Sequence, residues 1–406
     1  MCEHSEGDAT IDHGRIGAMS YSAQLRLPAN ILIRGGCSES IGEATRAIGV
    51  SRVVLVTDPY MFEEGPVNRL VRRLEAAGVD TAVYSRVQAD PTDKNVEEAL
   101  STLREHSADG VVAVGGGSPI DAAKAVAAMA TNEGTISDYA GYDRFEQVGL
   151  PIIAVPTTAG SGSEATRATV ITDTKRDIKM AIYDDILMPR VALVDYRLTM
   201  TMPRDLTAHV GIDSLVHAVE AYVSRLANVF SDMYALEAAH LIGRNLRTAF
   251  HEPDRESARE AMMFGATLAG MAFSNSSVAL IHGMSRPIGA HFHVTHGLSN
   301  ALLFPAVTRF GLDAARPRYA TISREMGLAD HSSSDEEAVE RLLEELEALN
   351  EELEIPSLRD LGLEPDRFES VLEPMAEAAL ASGSPDFNPR QPSKEEIVEL
   401  YRKVYY

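Results

Sequence analysis

Short apolar runs alternate with longer amphipathic runs over the first half of the chain. Helical periodicity is clear at 66–77 and 94–106. The apolar runs, rich in Val, Ile and Ala, predict buried strands at 31–33, 52–56, 81–85, 110–114, 151–155 and 191–195. Strands that alternate with helices are typical of a parallel sheet covered on both faces. We therefore predict an α/β domain for this half.

The pattern changes after Pro203, where the strand signals end. The remaining apolar positions repeat at helical spacing, first at 205–225, 231–249, 255–273 and 278–290 and then in further segments up to the terminus. A switch from alternating units to helices alone indicates a second, all-helical domain. We place the division between residues 1–202 and 203–406.

Charge and cysteine content narrow the partners and the compartment. The chain has 37 Lys and Arg against 60 Asp and Glu, a formal net charge of -23. Such a field disfavours nucleic acid and anionic membrane surfaces. The only cysteines are Cys2 and Cys37, too few for a disulfide framework, and the first fifteen residues lack the basic and apolar regions of a signal peptide. We expect a cytoplasmic location.

A glycine-rich turn follows the strand predicted at 110–114. The sequence DGVVAVGGGSPIDAAK at 109–124 predicts a strand, three glycines and then a helix capped by Ser118, with Asp121 as the far half of a capping box. Glycines let a phosphate approach the backbone, and the N–H groups at a helix start favour an anion. A turn that merely reverses the chain is the alternative.

Two further features share the predicted edge of the sheet. The sequence VPTTAGSGSE at 155–164 offers the hydroxyls of Thr157, Thr158 and Ser161 beside two glycines. Asp58 ends the strand at 52–56, and a carboxylate there can accept hydrogen bonds from a ribose and repel a 2′-phosphate, which favours NAD over NADP. An acidic turn residue without a ligand is the alternative for Asp58.

A carboxylate and an imidazole share one stripe of the helix predicted at 205–225. Asp213 and His217 follow Leu206 and Val210 at spacings of 3 to 4 residues, so they face the core together. Burying them without compensation is costly, and they could either pair with each other or share a cation. Spacing alone leaves both readings open.

A group of histidines favours the cation. His282, His291, His293 and His296 lie within fifteen positions. One aspartate with three histidines suits Fe(II) or Zn(II), with a coordination position left for a substrate oxygen. The spacing does not tell which two of the four histidines join Asp213 and His217.

The motifs GGGSPIDAAK, PTTAGSGSE, GIDSLVHAVEAY and HGM followed by THGLSNA resemble those of the iron-containing, group III alcohol dehydrogenases. The resemblance covers nearly the whole chain, with the motifs in the family's order. It implies a Rossmann-like nucleotide domain followed by a helical metal domain, in the dehydroquinate synthase-like fold. It also implies a homodimer or a larger homo-oligomer.

The resemblance also implies roles for individual residues. The metal ligands would be Asp213, His217, His282 and His296, which leaves His291 and His293 to the substrate pocket or to structure. The cofactor would be NAD, with Asp121 near its nicotinamide and Lys179 at a ribose. Its other contacts would be Asp58, Gly116, Gly117, Ser118, Thr157, Thr158 and Ser161.

Arg286 departs from the family's pattern, in which many members have a second histidine four residues after the one at 282. Arginine stays protonated and is no ordinary general base. If Arg286 faces the cleft, it favours a substrate with an anionic or strongly polar tail. An arginine that caps the helix end before Pro287 or pairs with an acid is the alternative.

The reaction expected from these residues is hydride transfer between NAD and a small primary alcohol or aldehyde, assisted by the metal. A nucleotide-binding protein with a structural metal is an alternative of a different class. Glycerol dehydrogenases and dehydroquinate synthases share the glycine turn but lack the Asp-x-x-x-His pair, and maleylacetate reductases act without a metal. The full ligand set disfavours all three.

Overall fold

The computed structural model describes residues 23–405. Cys2 and the segment that argued against a signal peptide lie outside these residues. The strands are β1 (Asn30–Ile33), β2 (Arg52–Val56), β3 (Asp80–Tyr84), β4 (Gly110–Gly115), β5 (Gly141–Tyr142), β6 (Ile152–Pro156), β7 (Ala168–Asp173), β8 (Ile178–Tyr183) and β9 (Val191–Val194).

The helices of the first half are short, and those of the second half are mostly long. The first half contains α1 (Ile41–Ala47), α2 (Pro59–Glu63), α3 (Val67–Ala76), α4 (Asp93–His106) and α5 (Gly117–Met129). The second half contains α6 (Arg204–Val223), α7 (Val229–His251), α8 (Glu256–Ser274), α9 (Leu280–Phe292), α10 (His296–Glu325), α11 (Asp335–Glu352), α12 (Pro365–Ala381) and α13 (Lys394–Tyr405).

The strands predicted from sequence form one parallel sheet in the order β1-β9-β6-β4-β2-β3. Its central strands are buried on both faces. In β2, Val54 and Val56 pack against the α4 and α5 side, while Val53 and Leu55 pack against the α1 and α3 side. This two-sided burial explains the continuous apolar runs and confirms the α/β prediction.

A second, three-stranded sheet in the order β5-β8-β7 was not predicted. In β7 and β8, buried positions alternate with partly exposed ones, as in Ile171 and Met180, which are buried and paired across the antiparallel ladder. A sheet with one covered face shows this alternation instead of an apolar run. Because β7 and β8 lack the continuous apolar run of the other strands, the sequence pattern did not predict them.

The second half is helical, as predicted, and α6 lies at its centre between α7, α8 and α10. From Gly211 to Val223 every residue of α6 is buried. The apolar stripe is therefore only the start of a helix that is enclosed on all sides. Leu206, predicted to face the core, is 36% exposed and borders the cleft described below.

Helix α8 contacts the loop after β6 with no side chain in between. Gly162 adopts φ +60°, and a Cβ added there would lie 2.6 Å from the Cα of Gly270 in α8. Only glycine tolerates this conformation and this approach together. The contact fixes the sheet-side loop against the helical half.

Helix α11 is amphipathic, with Val339, Leu342, Leu346 and Leu349 buried and an acidic face outside. Among the described residues, no helix combines the length and the apolar character that crossing a membrane requires.

Candidate active site

Three helices bring one carboxylate and three imidazoles to a single point. Asp213 and His217 lie one turn apart on α6, His282 is in the first turn of α9, and His296 is the first residue of α10. Each offers one donor atom, and these atoms all lie within 4.8 Å of one another. The structure thus selects His282 and His296 from the four candidate histidines.

The distances leave room for an ion between the donors. The Nε2 atoms of His217, His282 and His296 lie 4.0, 3.6 and 3.8 Å from Oδ1 of Asp213. These separations are longer than hydrogen bonds. Asp213, His217 and His282 are buried, and His296 is partly exposed. Three imidazole nitrogens and one carboxylate oxygen that face one another without bonding directly fit a divalent metal.

The electrostatics keep Asp213 and His217 in the form that a metal binds. Burial alone would raise the pKa of Asp213, but His217, His296 and His282 hold it below its ordinary value. Burial lowers the pKa of His217 to about 4. Burial also acts to lower the pKa of His282, but the neighbouring Asp213 and Glu220 raise that pKa above the ordinary value. The carboxylate is therefore ionised and the His217 imidazole neutral at pH 7, which is the protonation state of metal ligands.

Two residues that the sequence analysis did not single out complete the cluster. Asn300, one turn after His296 on α10, donates from Nδ2 to Oδ1 of Asp213 at 2.6 Å. Glu220 on α6 accepts a hydrogen bond from Nδ1 of His282 at 2.7 Å. Both are buried. Local spacing contains a signal for each, since Glu220 follows Asp213 by seven residues and Asn300 follows His296 by four.

The two loops expected to bind the nucleotide lie beside this cluster. Because β6, β4 and β2 are neighbours in the sheet, their carboxyl ends place the turn after Val155, the glycine turn and Asp58 side by side. The loops touch: a Cβ at Gly116 would lie 3.2 Å from Thr158, and one at Gly117 would lie 3.1 Å from Ser161. The glycines therefore make room for the neighbouring loop as well as exposing backbone.

One cleft of about 1150 Å³ joins the loops and the cluster. It is large enough for a dinucleotide together with a small substrate. All the residues proposed for the metal, the cofactor and the anionic tail line it, except His291; these are Asp58, Gly116, Gly117, Ser118, Asp121, Thr157, Thr158, Ser161, Lys179, Asp213, His217, His282, Arg286 and His296.

The predicted capping box at the glycine turn is wrong. Helix α5 begins at Gly117 with Gly116 as its N-cap, so Ser118 is already inside the first turn. Ser118 instead donates a hydrogen bond to the carbonyl of Ala89, across the cleft floor. With no side chain capping this helix, its first N–H groups are left for a ligand.

Asp121 does not take part in a capping box, and its carboxylate has other hydrogen-bond partners. Its carboxylate accepts hydrogen bonds from Ser163 Oγ at 2.6 Å and from the backbone N–H of Val170 at 2.8 Å. Lys124, fully buried one turn later, donates to Ser163 and Thr166 and to the carbonyl of Ala168. These bonds tie α5 to the loop after β6.

Asp58 and Lys179 each have one structural contact beside the cleft. Oδ1 of Asp58 caps α2 by accepting from the N–H of Met61 at 2.9 Å, and its Oδ2 lies above Gly115 at the phosphate turn. Lys179 Nζ pairs with Asp90 at 2.7 Å. Both side chains therefore have defined positions in the cleft wall.

The structure places Arg286 and His291 differently from each other. Arg286 lines the cleft near the metal cluster, and Pro287 lies inside α9, so Arg286 caps no helix end. Within residues 23–405 its side chain has no acidic partner. Of the two remaining histidines, His293, in a left-handed conformation with φ 57° just after α9, lines the cleft. His291 does not line it, so its assignment to the substrate pocket is corrected.

Comparison with protein families gives two adjoining matches. Residues 28–196 match the family model described as iron-containing alcohol dehydrogenase. Residues 207–405 match the one described as the C-terminal part of the Fe-containing alcohol dehydrogenase family.

Individual relatives are similar over almost their full lengths. The chain is 37% identical to a 1,3-propanediol dehydrogenase of Citrobacter freundii, over 95% of this chain and all of the relative. It is 34% identical to an NAD-dependent methanol dehydrogenase of Bacillus methanolicus, over 93% of this chain and 98% of the relative. The crystal structure of a 1,3-propanediol oxidoreductase superposes with a TM-score of 0.91 at 36% identity, over 95% of this chain and all of that chain.

Proposed function

The chain belongs to the iron-containing alcohol dehydrogenase family and is an oxidoreductase of alcohols and aldehydes, and we propose that it uses NAD and Fe(II) on a small primary alcohol or aldehyde. The main support for this proposal is that the four-residue cluster and the two loops expected to bind the nucleotide face the same cleft. Hydride donor and carbonyl must meet within attack distance, and this cleft is where the protein could hold them together.

Asp213, His217, His282 and His296 would hold the ion, and Zn(II) suits the same donors. When bound, the ion supplies Lewis-acid polarisation of the substrate oxygen. The other steps belong to this chain and the cofactor: the loops after β4 and β6 orient NAD, and NAD carries the hydride. The proton route cannot pass through Arg286 as a base, because a guanidinium does not deprotonate in proteins.

Asp58 supports NAD over NADP. Its Oδ2 lies within 3.3 Å of the Cβ position of Gly115, at the mouth of the phosphate turn. A carboxylate at this edge accepts bonds from a ribose diol and repels a 2′-phosphate. NADH is therefore the expected cofactor for aldehyde reduction.

Arg286 supports a substrate with an anionic or strongly polar tail. Its guanidinium is close enough to the phenol of Tyr142 to lower the pKa of that phenol, although burial raises it more. A cation on the cleft wall without an acidic partner among the described residues can receive a carboxylate or sulfonate. Turnover of an alkyl aldehyde and of a carboxylated one should separate the two substrate classes. Equal kcat/KM for both, unchanged in Arg286→Met, would remove the anionic tail from the proposal.

The division at residue 202, the assembly and the compartment are parts of the same proposal. The last strand of the parallel sheet ends at Val194 and α6 begins at Arg204, which supports units of 1–202 and 203–406. Burial raises the pKa of Cys37 to about 11, so this free thiol is inert and needs no oxidising compartment. We expect a cytoplasmic homodimer or larger homo-oligomer.

The decisive experiment is anaerobic reconstitution with Fe(II) or Zn(II), followed by NADH oxidation with a panel of aldehydes. Asp213→Ala should lose metal and activity while NADH binding stays normal, because the cluster and the loops are separate sets of residues. Asp313→Ala is the matched control, since the Asp313 side chain is 86% exposed. Full activity in Asp213→Ala would refute the ligand assignment.

A further inference from the structure

Glu220 forms three hydrogen bonds to the start of α9. Its Oε2 accepts from the backbone N–H of Ala279 at 2.7 Å and from Nδ1 of His282 at 2.7 Å, and its Oε1 accepts from the N–H of Ile281 at 2.6 Å. Glu220 is 2% exposed. A buried carboxylate that accepts three hydrogen bonds is strongly held.

These bonds replace the local cap that α9 lacks. Ala279 is the N-cap residue and has no side chain that could accept a hydrogen bond, so the first N–H groups of the helix would otherwise be unsatisfied. A carboxylate at a helix N-terminus also interacts favourably with the helix dipole. Glu220 therefore fixes where α9 begins, and His282 is only three residues into that helix.

The same carboxylate determines the tautomer of His282. An ionised carboxylate only accepts hydrogen bonds, so the ring nitrogen facing it, Nδ1, must carry the proton. Nε2 then has its lone pair directed at the cluster. The amide Nδ2 of Asn300, 3.2 Å from that Nε2, is consistent, since an N–H can donate there only if Nε2 is unprotonated.

The charges of the cluster support the same arrangement. With neutral imidazoles, Asp213 and Glu220 give this buried region two negative charges, which a divalent cation balances. A single carboxylate would leave one positive charge of the ion uncompensated in a buried site. Glu220 is one turn beyond His217, so α6 supplies two metal ligands and this partner from one face.

We infer that Glu220 is a positioning residue of the metal centre, which sets metal affinity by fixing the tautomer and the place of His282. This inference rests on the proposed function. Glu220 need not touch the metal, the cofactor or the substrate to act in this way. Partners of this kind typically change metal affinity by about 10- to 100-fold.

Glu220→Gln tests this with almost no change in volume. A glutamine has one acceptor oxygen for three donors, and its NH₂ group must face either the N–H of Ile281 or the shared position of Ala279 and His282. If it faces His282, its N–H favours protonation of Nε2 instead of Nδ1 and removes the lone pair from the cluster. We expect Zn(II) or Co(II), measured by competition with a chromogenic chelator, to bind about 10- to 100-fold more weakly.

Two controls separate positioning from general destabilisation. Asp232→Asn neutralises another buried acid, which pairs with Arg318 and not with a residue of the metal cluster, and it should lower the Tm without changing metal affinity. NADH binding, followed by the nucleotide's own fluorescence in this tryptophan-free chain, should be normal in both variants. A generally damaged fold would weaken both ligands together.

Unchanged metal affinity in Glu220→Gln overturns the inference while leaving the proposed function intact. Failure of the wild-type protein to bind metal overturns the proposed function and this inference with it. If Glu220→Gln does not fold, Glu220→Asp keeps the charge but draws the carboxylate back by one methylene, and the same comparison applies. Weaker metal binding with normal NADH binding supports positioning by Glu220, and wild-type affinity rejects it.

Discussion

The two walls of the cleft are built by different means. On the sheet side, contiguous turns after β4 and β6 present backbone N–H groups and small side chains, and the charged groups of Asp121 and Lys124 are held by hydrogen bonds within the protein. On the helical side, charged and imidazole side chains from three helices point at one another. The first wall is made by local sequence, whereas the second depends on how distant helices pack.

This contrast explains where each wall is vulnerable. The sheet-side loops keep their shape through buried bonds behind the surface, so a change that never touches a ligand should unfold them. The helical side of the cleft keeps its shape through residues such as Glu220 and Asn300, which contact the metal ligands directly. Substitutions behind the sheet-side loops should therefore lower the free energy of unfolding. Substitutions behind the metal ligands should lower metal affinity.

The largest expected effect on stability is that of Lys124→Met. Lys124 is fully buried, and burial lowers its pKa to about 8 although Asp121 and Glu164 oppose this. Removing it leaves two carboxylates without their cation and should lower the free energy of unfolding by about 3 kcal/mol. Urea unfolding measures this loss. Lys94→Met, on the exposed face of α4, should stay within about 0.5 kcal/mol of the wild type.

If Lys124→Met is as stable as the Lys94 control, the buried bonds do not hold the sheet-side loops. A variant that is destabilised but still binds metal normally, with weaker NADH binding, would sharpen the contrast between the walls. Simultaneous loss of metal would instead show that the walls depend on each other.

The next largest effect on stability is expected at the contact between the loop after β6 and α8, which joins the two sides of the cleft. In Gly162→Ala the new Cβ would lie 2.6 Å from Gly270 and 2.7 Å from the carbonyl of Ala266, so α8 or the loop must move. Overpacking and the left-handed conformation together should cost about 2 to 3 kcal/mol in unfolding free energy. Thermal or urea unfolding, with metal and NADH affinities measured in parallel, checks this.

Gly78→Ala is the matched control, because Gly78 has φ +76° but nothing within 4 Å of its Cβ position. It should show only the conformational penalty, about 1 kcal/mol. Equal losses in the two variants would mean that the close approach of α8 contributes nothing. A larger loss in Gly162→Ala with both ligands weakened would identify this contact as the coupling between the walls.

The sequence predicted the sheet side of this architecture better than the helical side. The strand ends, the glycine turn and the pair Asp213 and His217 follow from local periodicity. Which histidines join them does not, because it depends on how α9 and α10 pack against α6, and only the family resemblance pointed to His282 and His296. The Ser118 cap failed for the same reason, since the hydroxyl finds a distant partner in Ala89.

The residues behind the ligands were missed although their spacing was readable. Glu220 lies one turn after His217 on α6, beyond the stripe of Leu206, Val210, Asp213 and His217 that the sequence predicted. Periodicity predicts which face a residue occupies, but it does not show that a carboxylate on a buried face will meet the start of another helix. That information lies in the tertiary contact between Glu220 and Ile281.

The smallest expected effect is at the edge of the sheet-side wall. There a substitution should change the preference between NADH and NADPH without changing stability. Asp58→Asn removes the negative charge near Gly115, but asparagine still caps α2 through the bond to the N–H of Met61. Without repulsion of a 2′-phosphate, the ratio of kcat/KM for NADPH to that for NADH should rise about fivefold, equivalent to about 1 kcal/mol at a half-buried site. Metal content and Tm should stay at wild-type values, because neither wall is disturbed behind its surface. An unchanged cofactor ratio would show that Asp58 only caps α2, and the expected preference for NAD would then have to come from another residue of the cleft.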